Sequence, residues 1–167
     1  MTTLARIRCA TLLAAVTLAT LAAPLAQAAG PQARPFKATL TTQEALSLDS
    51  VACPGTFVLG TSSGQGTASH LGKVSLLATD CPVFPPGGLP YASGVLVLTA
   101  ADGDKLKANY TVQLTPTGPS TFSLDGNYAI NGGTGRFQNA TGTGSLRGNI
   151  DTQGGPGVYE ATGSLSY

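Results

Sequence analysis

The chain has 167 residues, a formal net charge of +1 and only 10% charged side chains. So sparse a charge leaves no electrostatic footprint for nucleic acid or an anionic lipid surface, and neither partner is expected. The length suits one domain with a core of its own, and 22 glycines point to many turns.

Arg6 and Arg8 precede an apolar run, Ala10–Ala23, followed by Pro24 and Ala26-Gln27-Ala28. A basic start, a short apolar run and a small-residue site predict a secretory signal peptide over 1–28, with cleavage before Ala29. No stretch is long enough to predict a membrane-spanning helix. Residues 29–167 then form a single exported domain, and losing Arg6 and Arg8 takes the net charge from +1 to about −1. Of the three cysteines, Cys53 and Cys81 remain. An exported pair without metal-ligand company predicts a disulfide, worth roughly 3 kcal/mol for a loop of this length.

The remaining chain reads as strands. Phe36, Ala38, Leu40 and Thr42 alternate with Lys37, Thr39, Thr41 and Gln43, and Thr42–Leu48 offers a turn of helix. Thr56–Gly60 reads as a short strand and Thr61–Ser69 as a small-residue loop. Val74, Leu76 and Ala78 form the next apolar face, and Pro82–Pro90 is a proline- and glycine-rich break. Gly94–Ala100 and Lys105–Leu114 flank Asp102-Gly103, a type I′ hairpin pair. The second strand faces Leu106, Ala108, Tyr110, Val112 and Leu114 to one side. Phe122, Leu124, Tyr128 and Ile130 precede the Gly132-Gly133-Thr134-Gly135 turn, and Leu146 and Ile150 follow it. Tyr159, Ala161, Leu165 and Tyr167 close the chain. About eight strands with short connections predict an all-β fold, a closed antiparallel barrel, since closure removes exposed edges, with a two-sheet sandwich as the structural rival.

No ionisable group falls on these apolar faces, so an interior built from them holds no acid–base pair. It does hold tyrosines. Tyr110, Tyr128 and Tyr159, each an apolar ring with a polar tip, read first as core packing and second as the candidate ligand-binding residues of an apolar pocket. Other matches carry less. Gly60-Thr61-Ser62-Ser63-Gly64 fits the G-x-S-x-G elbow of hydrolases, but no helix follows it. His70, the lone histidine, has no acid cluster beside it for a metal or a general base. Asp102-Gly103-Asp104 lacks the later ligands of a calcium loop. Asn109 and Asn139 begin N-glycosylation sequons, used only where the host glycosylates exported chains. No catalytic residue, metal site or cofactor is assigned.

Ile130-Asn131-Gly132-Gly133-Thr134-Gly135-Arg136-Phe137, with Ala140 and Gly142, resembles the signature of plant dirigent proteins and allene oxide cyclases. Small exported bacterial proteins resemble it too, with hairpins like Thr99–Leu106 and segments like Ser69–Lys73. The resemblance implies an eight-stranded, calycin-type barrel with a central apolar cavity, often trimeric in the plant families. Gly132, Gly133, Gly135 and Phe137 match as turn residues, and no catalytic carboxylate is matched. Allene oxide cyclases fold an epoxide in a moulded cavity, and dirigent proteins steer reactive phenolic intermediates. The sequence thus favours a secreted, non-catalytic barrel that binds a small hydrophobic molecule. The alternatives are an isomerase or cyclase-like cavity protein, and a filled barrel whose loops Thr61–Ser69 and Pro82–Pro90 meet a protein or glycan.

Overall fold

A computed structural model describes residues 32–167, and the signal-peptide reading of 1–28 lies outside them. Eight strands follow in order: β1 (Arg34–Leu48), β2 (Val58–Ala68), β3 (Gly72–Val83), β4 (Tyr91–Ala100), β5 (Lys105–Pro116), β6 (Thr121–Gly133), β7 (Thr141–Asp151) and β8 (Pro156–Leu165). Each pairs antiparallel with the next, and β8 returns to β1, so the sheet closes into a barrel with no free edge. No helix among the described residues is long and apolar enough to cross a membrane.

The apolar faces read from the sequence point inward. Phe36, Ala38 and Leu40 on β1, Leu106 to Leu114 on β5, and Leu124, Tyr128 and Ile130 on β6 are buried in one core. The strand assignment changes in two places. Thr42–Leu48 is not a helical turn but the second half of β1, bonded to β2 through Leu48. Thr61–Ser69 is not a loop, because residues up to Ala68 form β2. Its inward positions are Gly60, Ser62, Gly64, Gly66 and Ala68, which carry no hydrophobic signal. Small side chains on this wall leave room for large ones opposite, as small barrels require.

The two barrel ends differ. At the closed end, a 3₁₀ turn, Gly135–Phe137, follows β6 and drives Phe137 fully inside. Its ring packs 5.0 Å from that of Tyr167. Arg136 stacks over Phe137 and forms ion pairs with Asp102 at 3.5 Å and Asp104 at 3.9 Å. The Asp102-Gly103 hairpin is a three-residue loop, not a type I′ turn. Only Gly103 takes a positive φ (91°), and its N–H donates to Ala100 O at 3.0 Å. At the other end, Cys53 and Cys81 are joined in the disulfide, tying the β1–β2 loop to β3.

Candidate functional site

The open end of the barrel holds the ionisable groups that the apolar pattern had excluded from the interior. The inward parity of β1 continues past Thr42 to Glu44, and that of β3 past Ala78 to Asp80. Both carboxyls line a pocket with Tyr110, Tyr159, Val112, Leu114, Phe122 and Ile150 among its walls. Glu44 is only 7% exposed. Bringing a carboxyl into such surroundings is costly unless it is protonated or paired.

Register explains how the groups meet. Ser62 lies opposite Glu44 on β2, and its hydroxyl donates to Glu44 Oε2. Tyr159 on β8 also donates to Oε2, at 3.4 Å, and shares a 2.7 Å hydrogen bond with Ser62. Across the pocket, Tyr110 on β5 donates to Asp80 Oδ2 at 2.5 Å. That bond must span β4, where Gly94 stands between the two residues. A Cβ on Gly94 would lie 2.6 Å from Asp80 Cβ, so the glycine is what lets tyrosine and aspartate approach.

Burial governs protonation here. It raises the Glu44 carboxyl to about 7, with Asp80 adding to the rise and hydrogen bonds from Ser62 and Tyr159 opposing it. Asp80 is raised by burial as well, against the bond from Tyr110. Burial, reinforced by the neighbouring acids, holds the Tyr110 and Tyr159 hydroxyls neutral. The site thus contains two carboxyl groups, two phenols and a serine, with no cation.

Of the three tyrosines singled out from the sequence, Tyr110 and Tyr159 meet in this site. Tyr128 does not. Its hydroxyl is buried without a hydrogen-bond partner, and its pKa is pushed up to about 12 by that burial. It borders a deeper apolar void of about 20 Å³, beneath the open-end void of about 30 Å³. Each is large enough for one or two waters. The barrel centre is therefore largely filled by side chains, in contrast to the central cavity implied by the family resemblance.

Ser62, the central serine of the G-x-S-x-G match, has a structural reason to be there: it supports Glu44. Glu44 and Asp80 were legible only by extending each strand's inward parity past its last apolar residue. His70 is exposed in the β2–β3 connection at the closed end, with φ 68° and Nε2 3.0 Å from Pro35 O, away from the acids. Asp125 faces outward, 3.1 Å from Arg147. Among the described residues, no group of three or more His, Cys, Asp or Glu side chains is placed to hold a metal. The architecture and site together define a closed eight-stranded barrel with two carboxyl groups, one of them buried, lining a pocket at its mouth. No family model, curated protein or solved structure matches the chain.

Proposed function

We propose that this is an exported barrel that binds a small, mainly apolar molecule at its open end. The observation that carries the reading is the presence of Glu44 and Asp80 in an otherwise apolar pocket. A barrel filled purely for stability gains nothing from two desolvated carboxyls, whereas perturbed acids in a concave site are the usual mark of function. The enclosed void takes only a small polar head. The apolar body of the ligand rests against half-exposed Leu46 and Phe84 at the rim. The Cys53–Cys81 bridge is in keeping with an oxidising, extracytoplasmic compartment.

Titration of the disulfide-bonded domain with n-hexanol, followed by backbone amide NMR, tests this reading. Saturable shifts confined to the open-end halves of β1, β3, β5 and β8 are expected. Shifts at the closed end, or none, would refute it.

The protonation of Glu44 favours a second reading, a cavity isomerase or cyclase. A carboxyl at about 7, fixed by Ser62 and Tyr159, is matched to proton transfer at neutral pH. Once a turnover assay exists, Glu44→Gln should abolish the pH dependence of the rate near neutrality. An unchanged profile would remove Glu44 from the chemistry.

A further inference from the structure

Glu44, which is buried, and Asp80, which is partly buried, each use one oxygen for their hydroxyl partners and have no protein hydrogen bond on the other. The hydrogen bonds of Glu44 run to Oε2 and that of Asp80 to Oδ2. The remaining oxygens, Glu44 Oε1 and Asp80 Oδ1, converge over Gly60. A Cβ at that residue would lie 3.2 Å from the first and 2.5 Å from the second. Gly60 lies between Leu46 of β1 and Asp80 of β3 in register, and having no side chain it leaves that space to the two carboxyl groups. Two acceptor atoms from different strands, one of them on the buried Glu44, thus come close together with no hydrogen bond from another described residue.

We propose that the ligand of this site is a small apolar amine, its ammonium held between Glu44 Oε1 and Asp80 Oδ1. The inference rests on the open-end binding site argued above and names its ligand class. An ammonium carries three donors and the countercharge that the pocket lacks, so it satisfies both free oxygens at once. A carboxylate ligand would meet two like charges there, and an alcohol has a single donor to offer. Two free carboxyl oxygens are too few for a calcium ion, which takes six to eight oxygen ligands. Leu46, Phe84 and Phe122 then cover the alkyl part.

The pH dependence follows from the titratable groups that line the pocket. They are Glu44 from β1, Asp80 from β3, Tyr110 from β5 and Tyr159 from β8, and β2, β4, β6 and β7 add no ionisable side chain to the lining. An alkylammonium keeps its charge through neutral pH, so its binding competes with protons on the two acids. Below about pH 7, where Glu44 takes up its proton, amine affinity should fall by about tenfold per unit.

The test is an amide NMR titration of the disulfide-bonded domain with n-hexylamine, n-hexanol and hexanoate, at pH 8 and pH 5.5. At pH 8 hexylamine should bind at least tenfold more tightly than hexanol, and the advantage should vanish at pH 5.5. Glu44→Gln with Asp80→Asn should remove the amine preference, bringing the hexylamine affinity at pH 8 down to that of hexanol, and losing buried charge should not endanger the fold. Gly60→Ala, whose Cβ would lie 2.5 Å from Asp80 Oδ1 and so push the two carboxyls apart, should do the same. If hexanol or hexanoate binds wild type as tightly as hexylamine at pH 8, the amine inference is overturned and the apolar site stands. Should none of the three bind, both readings fall.

Discussion

Replacing Glu44 by glutamine should make the barrel more stable at neutral pH and flatten its pH profile. In the folded chain Glu44 keeps its proton up to about pH 7, against 4.5 for an ordinary glutamate. Between those values the native state holds a proton that the unfolded chain has lost. Stability must then fall as pH rises, by about 1.4 kcal/mol per unit. The loss is absent below 4.5, grows through the window and is complete above 7, totalling about 3 kcal/mol. In thermal terms that is roughly 10 °C for a domain of this size. Asp80 is shifted the same way and adds to the slope. Glutamine retains the acceptor that Ser62 requires and has no proton to lose, so most of the slope should disappear. Urea melts by far-UV circular dichroism at pH 4.5, 5.5, 6.5 and 7.5 measure this directly, with the disulfide intact. A flat wild-type profile, or an unchanged slope in Glu44→Gln, would refute the burial argument.

Reduction of the Cys53–Cys81 bridge, which closes a separation of 28 residues, should lower stability by about 3 kcal/mol, read as a drop in urea midpoint after a phosphine reductant. Tyr128→Phe and Tyr110→Phe should act in opposite directions. The first removes a buried hydroxyl without a partner and should stabilise by about 1 kcal/mol; the second strips Asp80 of its donor and should destabilise by a similar amount. Equal effects in the two melts would contradict the assigned hydrogen bonds. Phe137→Ala should cost about 3–5 kcal/mol, since its fully buried ring plugs the closed end; a loss under 1 kcal/mol would show that the plug is dispensable.

The barrel was legible because most of its inward faces carry large apolar residues in strict alternation, as in Leu106, Ala108, Tyr110, Val112 and Leu114. Where inward positions were small, the signal vanished. Gly60, Ser62, Gly64 and Gly66 look like a loop until β1 and β3 pair on either side of them. The acids were missed for a related reason. Glu44 and Asp80 sit at inward positions, yet their polarity breaks the apolar pattern by which inward positions are recognised. Their partners come from elsewhere in the chain: Tyr159 lies 115 residues from Glu44, and Tyr110 lies 30 from Asp80. Only closure of the sheet brings them together. The Asp102-Gly103 turn was located from its residues, but its conformation was not, because one positive φ at Gly103 suffices when the loop has three residues.

Because β1 and β8 meet along one seam, Arg34 lies opposite Leu165 and the described chain enters and leaves at the plugged base. A handle added after Tyr167 therefore hangs from the floor of the barrel, at the opposite end from Glu44 and Asp80. Immobilised by that handle on a sensor surface, the molecule would stand with its mouth toward the solution. Probe molecules would then reach the site without passing beneath the protein.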